Sequence, residues 1–202
     1  MIKAAVDELG VQKPIVVGQS FGGAVALRYA LEYQDEMSGL VLLAAVSHEW
    51  PGGLSWYTAA SQWPVAGVFL RRLIIPFYGQ LAAKDGVARN FAPNTPPPHY
   101  YEDAGLGLLF RAQDFKSNAE DIAHLKAEII AQQGRYGELK LPVEIVTGLA
   151  DNTVSPELHS KRLAKEIDGA RLTLLPNTGH ALHHAEADKI IDLILNLEEP
   201  RS

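Results

Sequence analysis

The chain has no cysteine among its 202 residues. This absence excludes disulfide bridges, thiolate nucleophiles and cysteine-ligated zinc. Blocks of like charge are also missing: 18 Lys and Arg stand against 24 Asp and Glu, giving a formal net charge of -6. Nothing therefore indicates a nucleic-acid-binding surface, and the composition is that of a globular protein with one compact domain and a subdomain.

Long hydrophobic runs are absent as well. The longest apolar stretches, such as residues 39–46, are far shorter than the roughly 20 residues that cross a bilayer as a helix. Residues 1–9 are amphipathic and acidic, whereas a secretion signal pairs basic residues with an apolar core. We therefore expect a cytoplasmic protein with no membrane span, and we expect neither a metal nor an organic cofactor.

What the sequence does contain is apolar, strand-like segments that alternate with helical periodicity. Four such segments are bounded by Gly or Pro, at residues 14–18, 39–44, 142–148 and 170–175. A helix is predicted between the first two, another from an N-cap at Ser155 to about Ile167, and a closing helix with Ala187, Ile190, Ile191, Ile194 and Leu195 on its apolar face. This order predicts four parallel strands joined by right-handed crossovers.

The middle of the chain breaks this rhythm. Residues 48–138 hold most of the aromatic side chains: Trp50, Trp56, Trp63, Phe69, Phe77, Tyr78, Phe91, Tyr100 and Tyr101. Residues 117–120 fit a helix capping box, followed by a helix face of Ile122, Leu125, Ile129 and Ile130. We predict a core made of residues 1–47 and 139–202, with residues 48–138 inserted as a helical subdomain.

The most informative motif is Gly18-Gln19-Ser20-Phe21-Gly22, which has the form G-x-S-x-G. It stands between a predicted buried strand and a helix that begins with small residues. In a sharp strand-to-helix turn such a motif presents its serine as a nucleophile, and the turn needs small residues on both sides of that serine. An ordinary turn serine is the alternative interpretation of Ser20.

A nucleophilic serine needs a histidine base that is oriented by a carboxylate. Asp151 follows the third predicted strand, and His180 follows the fourth. Since parallel strands end at the same sheet edge, both side chains are expected there, where open α/β sheets bind their ligands. Asp151 could instead cap a helix or turn, and His180 could be a loop histidine without a role. His183 and His184 are expected to pack or lie at the surface rather than bind a metal.

Through these motifs the chain resembles the α/β-hydrolase superfamily, in its serine-nucleophile branch with an inserted lid. The resemblance implies that Ser20 attacks a carbonyl carbon, that His180 transfers the proton and that Asp151 holds the imidazole. It also implies an oxyanion contact from the backbone N–H of Phe21. The expected partner is a small to medium apolar acyl substrate, an ester or a related compound, bound beneath the aromatic residues of the lid. The alternative interpretation of these aromatic residues is that they form the core of the lid. A carbon–carbon bond hydrolase or a cofactor-free perhydrolase would use the same triad.

The sequence departs from the family before the nucleophile strand. Only 13 residues precede the first predicted strand, so the strands that usually come earlier, and a second oxyanion donor, have no counterpart. We therefore expect an N-terminally incomplete α/β-hydrolase fold. Either the chain is a fragment or a second chain, such as another copy, covers the open sheet edge. A catalytically weak, ligand-binding member of the fold is the alternative function.

Overall fold

The computed structural model describes residues 1–53, 60 and 63–197. Its four strands are β1 Ile15–Gln19, β2 Gly39–Leu43, β3 Val143–Gly148 and β4 Arg171–Leu175. The α-helices are α1 Ile2–Glu8, α2 Phe21–Tyr33, α3 Ala66–Phe69, α4 Gln80–Phe91, α5 Tyr100–Asp103, α6 Ala112–Gln132, α7 Ser160–Glu166, α8 Leu182–Ala185 and α9 Ala187–Leu195. A π-helix spans Leu70–Gly79, and 3₁₀ helices span Gln34–Glu36, Leu106–Phe110 and Gln133–Glu138.

The strands form one parallel sheet in the order β1-β2-β3-β4. Val17 is paired with Val41, Leu42 with Ile145, and Val146 with Thr173. This confirms the predicted four parallel strands. All residues of β2 and β3 are buried because these strands lie in the middle of the sheet, which explains why both strands carry apolar side chains on both faces.

Helices cover both faces of the sheet. Along β2, Leu40 and Leu42 belong to a core cluster with Leu27 of α2 and Leu163 of α7, whereas Val41 and Leu43 belong to a second cluster with Ile190 of α9. This alternation is the period of two that a strand imposes on its side chains. The arrangement is the three-layer α/β fold expected from the sequence.

One charged residue lies inside the sheet. Glu144 of β3 is buried, and its carboxylate accepts hydrogen bonds from Arg171 Nε at 2.8 Å and Thr173 Oγ1 at 2.6 Å. Both partners lie on the neighbouring strand β4. The desolvation cost of the carboxylate is therefore offset by partners on each of its oxygens, which fixes the pairing of these two strands.

The predicted face of the closing helix was wrong in detail. Ile190 is buried as expected, but Ile191 and Leu195 are exposed, and the helix buries Leu193 instead. The helix is thus rotated about its axis relative to the prediction, and the packing of the chain just beyond α9 accounts for this rotation. Leu197 fits over Gly39, where a Cβ atom would lie 2.3 Å from Leu197 Cδ2. Several apolar stripes are available in this segment, and tertiary packing selects one of them.

Two predicted helix starts also differ from the structure. Helix α6 begins at Ala112, because Arg111 is extended and its carbonyl accepts the first helical hydrogen bond, from Phe115 N–H. The capping-box pattern at residues 117–120 therefore lies inside the helix and does not mark its start. Ser155 Oγ accepts a hydrogen bond from Leu158 N–H at 3.3 Å, as a cap does, yet the regular helix α7 begins only at Ser160. On α6, Ile129 is buried but Ile130 is half exposed.

Most of the residues that the structure describes between β2 and β3 are helical, and we refer to residues 48–138 as the insertion. Its aromatic residues do not share one environment: Phe91 is buried, whereas Trp63, Phe69, Phe77 and Tyr78 are exposed. Trp56 lies outside the described residues. No helix among those described is long and apolar enough to cross a bilayer.

Candidate active site

The turn between β1 and α2 holds Ser20 in an unusual backbone conformation. Its φ is 53° and its ψ is -117°, a region that residues with a side chain rarely adopt. The peptide groups around it fix this geometry: Ser20 N–H donates to Leu43 O at 2.9 Å, and Ser20 O accepts from Gly23 N–H and Val46 N–H. The strain is thus maintained by β2 and by the first turn of α2, as in a nucleophile elbow.

Close backbone packing explains two of the glycines around Ser20. A Cβ atom at Gly18 would lie 2.5 Å from Gly22 O, and one at Gly23 would lie 2.3 Å from Ala45 Cβ. A Cβ atom at Gly22 would have nothing within 4 Å. The prediction that the turn needs a small residue on each side of Ser20 is therefore confirmed at Gly18, whereas Gly22 has room for a side chain. On the other side, the tightly packed residue is Gly23.

Asp151 and His180 meet at the carboxyl edge of the sheet. His180 Nδ1 lies 2.8 Å from Asp151 Oδ2, and both side chains are buried. The second carboxylate oxygen of Asp151 accepts from Thr153 N–H at 2.7 Å and Val154 N–H at 2.9 Å. Since the carboxylate can only accept, we assign the proton of the His180–Asp151 contact to Nδ1, which leaves Nε2 as an acceptor in the neutral ring.

The loops that carry these two residues are in direct contact. Ala150 N–H donates to Thr178 O at 3.0 Å, and Leu149 N–H donates to Leu175 O. At Gly148 a Cβ atom would lie 2.2 Å from Thr178 O. The glycine that ends β3 thus permits the close approach that brings Asp151 and His180 together, a role that the sequence pattern did not reveal.

Ser20 lies at the same sheet edge, but its hydroxyl makes no hydrogen bond to any residue that the structure describes. The polar contact at the free ring nitrogen of His180 comes from Gln19, whose Nε2 lies 3.3 Å from His180 Nε2 and also donates to His180 O. Gln19 is a site residue that was not predicted, although its place in the motif beside Ser20 was a sufficient signal. Phe21 N–H, at the first residue of α2, has no hydrogen-bond partner within the described part of the chain.

The other histidines near His180 make packing contacts. His184 lies against the rings of Phe91 and Tyr100, and the rings of His183 and His184 are 4.3 Å apart. Burial lowers the pKa of His183, with smaller contributions from His184 and His180. No cluster that could bind a metal ion is present among the residues described.

A second polar cluster, also unforeseen, lies where the insertion leaves the sheet. His159 Nδ1 accepts from the N–H groups of Ser47 and His48, both at 3.2 Å. The buried His48 ring lies between Ser47 Oγ and Glu166 Oε2, at 2.9 Å from each, and Tyr136 OH donates to Ser47 O. Burial is the main cause of the lowered pKa values of both histidines, and the pKa of His159 falls to about 4.

A cavity of about 460 Å³ opens beside α2. Phe21 contributes to its lining together with residues of α1 and α6, but Ser20, Asp151 and His180 do not. Its walls also contain none of the exposed aromatic residues of the insertion. This cavity is therefore separate from the candidate catalytic groups, and no substrate-binding residue follows from it.

A parallel α/β sheet with a strained serine turn and an acid–histidine pair at its carboxyl edge defines the class of protein. The model of the Alpha/beta hydrolase family matches residues 2–193, so the chain belongs to this family. One relative, a 2-hydroxy-6-oxononadienedioate/2-hydroxy-6-oxononatrienedioate hydrolase of Comamonas testosteroni, is 28% identical over 96% of this chain and 66% of its own length. A 2-hydroxymuconate semialdehyde hydrolase of Pseudomonas putida is 26% identical over 94% and 64%.

Solved structures agree with this fold. An enol-lactonase from Burkholderia xenovorans superposes with a TM-score of 0.66 and 18% identity, covering 97% of this chain and 69% of the enzyme. The chain spans about two thirds of the length of the curated relatives that it matches. The comparisons thereby confirm the predicted membership of the α/β-hydrolase superfamily and its fold.

Proposed function

We propose that this protein is a serine hydrolase whose catalytic residues are Ser20, His180 and Asp151. The main support for this proposal is the contact between His180 Nδ1 and Asp151 Oδ2, at 2.8 Å. It lies at the sheet edge where Ser20 has its strained backbone conformation. Neither feature is needed for packing alone, since backbone strain and buried ionisable pairs concentrate at functional sites. The hydrolase names of the relatives support this assignment.

In the proposed reaction Ser20 Oγ forms a bond to a substrate carbonyl carbon while its proton passes to His180 Nε2. The imidazolium is stabilised by Asp151, and its proton then moves to the leaving group as the bond to that group breaks. Water repeats the sequence: His180 accepts its proton, the new bond forms at the acyl carbon, and Ser20 Oγ leaves with the proton. Gln19 must first give up its contact with His180 Nε2.

The developing oxyanion would bind the free N–H of Phe21. This group lies at the N-terminus of α2, where the aligned peptide dipoles favour negative charge. We assign no second donor within the described chain. Since losing one donor typically lowers the rate by about 10²- to 10³-fold, a slow hydrolase is the expected form if none is supplied.

For the substrate, an ester or related acyl bond of a small to medium apolar compound is the first candidate. The relatives favour a second: their names specify 2-hydroxy-6-oxo acids and a semialdehyde, compounds without an ester. Hydrolysis of such a compound has to break a carbon–carbon bond beside its carbonyl group. The same triad can carry out both reactions, because in each the serine attacks a carbonyl carbon.

A fluorophosphonate probe tests the nucleophile. The wild-type chain and a Ser38→Ala control should be labelled, because Ser38 precedes β2 at the opposite sheet edge, whereas Ser20→Ala should not. Equal labelling of Ser20→Ala and wild type would refute the assignment. Turnover of a p-nitrophenyl ester series and of a 2-hydroxy-6-oxodienoic acid, measured side by side, distinguishes the two substrate classes.

A catalytically weak ligand-binding protein is the alternative, motivated by the one oxyanion donor that we assign within the described residues. It predicts tight binding of an acyl compound without turnover, and binding that persists in His180→Ala. Turnover that His180→Ala abolishes would instead support the enzyme.

A further inference from the structure

The two peptide N–H groups that flank His180 both donate to the insertion. Gly179 N–H donates to Asn94 Oδ1 at 3.0 Å, and Ala181 N–H donates to Asn90 O at 3.2 Å. We propose that residues 90–94 are a positioning element, with Asn90 and Asn94 setting the orientation of the His180 imidazole from the insertion. The proposal rests on the function proposed above, because it assigns His180 the role of the base.

Asn94 makes the most extensive contact with the histidine loop. In addition to accepting from Gly179 N–H, its Nδ2 donates to Asn177 O at 3.2 Å. Asn177 has a φ of 54°, which places the loop in a left-handed turn just before the base. One side chain therefore bridges two peptide groups of a strained turn, and aspartate or alanine could not reproduce both bonds.

Asn90 extends the same contact to the loop of the acid. Its Oδ1 accepts from Thr153 Oγ1 at 3.1 Å, and Thr153 N–H in turn donates to Asp151 Oδ1 at 2.7 Å. The C-terminal end of α4 thus contacts both loops that carry the Asp151–His180 pair. Hydrogen bonds on both loops restrict how the two side chains can move relative to each other.

The backbones are too close for the contact to be loose. A Cβ atom at Gly179 would lie 2.2 Å from Ala92 O and 2.8 Å from Phe91 O. Phe91 is buried, and its ring packs against His184, four residues beyond the base. A shift of this part of the insertion must therefore displace the histidine loop.

Neither asparagine is assigned a contact with reacting atoms, so both act through His180. Small displacements of a catalytic group are costly: about 1 Å can lower a rate by about 10²-fold. The position of residues 90–94 should therefore affect the rate at which His180 transfers protons. Substrates that change the position of α4 should alter kcat as well as KM.

The test compares Asn94→Ala with Asn118→Ala, an exposed asparagine on α6 of the same insertion. For a short p-nitrophenyl ester, Asn94→Ala should lower kcat by about 10- to 100-fold with little change in KM, and it should alter the pH dependence of kcat. Asn94→Asp, which keeps the acceptor for Gly179 N–H, should recover part of the loss. Asn118→Ala should behave as the wild type.

A second measurement does not depend on turnover. The proton between His180 Nδ1 and Asp151 should give a low-field NMR signal that shifts or broadens in Asn94→Ala and is retained in Asn118→Ala. An unchanged signal together with an unchanged kcat would overturn the positioning role. If the wild type shows neither labelling nor turnover but the signal still responds to Asn94→Ala, the proposed function fails and the positioning element stands.

Discussion

The side-chain amide of Gln19 lies 3.3 Å from Nε2 of His180, the ring nitrogen that would accept the proton of Ser20. Because Nδ1 faces Asp151, Nε2 is the acceptor in the neutral ring, and the Gln19 amide donates to it. In this structure the base therefore interacts with the residue before the proposed nucleophile. Catalysis requires the Ser20 hydroxyl to replace the Gln19 amide as the hydrogen-bond donor to Nε2.

We predict that removing the Gln19 amide favours this exchange. A neutral hydrogen bond contributes a net 0.5–1.5 kcal/mol or so, which corresponds to roughly 2- to 10-fold in rate. Gln19→Ala should therefore react with a fluorophosphonate probe faster than the wild type by about that factor, measured as a second-order rate constant. Gln12→Ala, in the exposed loop before β1, serves as the control. Slower labelling of Gln19→Ala would mean that the amide supports the imidazole instead of competing with Ser20.

The adjacent glycines Gly22 and Gly23 provide a matched pair for testing the turn. Gly22→Ala should stabilise the fold by about 0.5–1 kcal/mol, because the position is helical and open and alanine loses less backbone entropy. Gly23→Ala should destabilise it by about 1–3 kcal/mol, because the new methyl group would overlap Ala45. Urea unfolding measures both free energies. Equal effects of the two substitutions would contradict the packing described here.

The sequence was sufficient for the sheet and for the loops that carry the candidate triad. Buried parallel strands are apolar on both faces, and their carboxyl ends share an edge, so the contact between Asp151 and His180 could be predicted from the strands that precede them. The rotation of α9 and the tight packing of Gly23 could not. Each depends on a partner distant in the chain, Gly39 for Leu197 and Ala45 for Gly23, and local periodicity contains no information about such partners.

The buried cluster around His159 predicts a loss of stability at mildly acidic pH. Its Nδ1 accepts from two backbone N–H groups, and burial, followed by the neighbouring His48, lowers its pKa to about 4, while Asp151 acts in the opposite direction. An unfolded histidine has a pKa of about 6.5, so the unfolded chain binds the proton first as the pH falls. The contribution of the neutral His159 to the free energy of unfolding is therefore complete above about pH 6.5 and is lost as the pH falls towards about 4. It amounts to at most about 3 kcal/mol.

Urea unfolding at pH 7 and at about pH 4.5 measures this effect. In His159→Gln the difference in unfolding free energy between the two pH values should shrink, since glutamine does not titrate but its oxygen can still accept. His124→Gln, at an exposed position on α6, should keep the wild-type difference. A pH dependence equal in His159→Gln and the wild type would rule out this histidine as its source; His48, whose pKa is lowered too, would be the next residue to change.

We predict that the chain associates with a second chain through the outer edge of β1. Within the described residues β1 pairs only with β2, and Val17 on it is 45% exposed, so its free backbone groups and apolar surface are available to another strand. We expect sedimentation at micromolar concentrations to reveal species larger than the 22.0 kDa chain. Val17→Lys should weaken this association, because charge on an edge strand opposes pairing, whereas Val11→Lys, in the preceding loop, should not. A wild-type chain that remains monomeric and active at every concentration would refute the prediction.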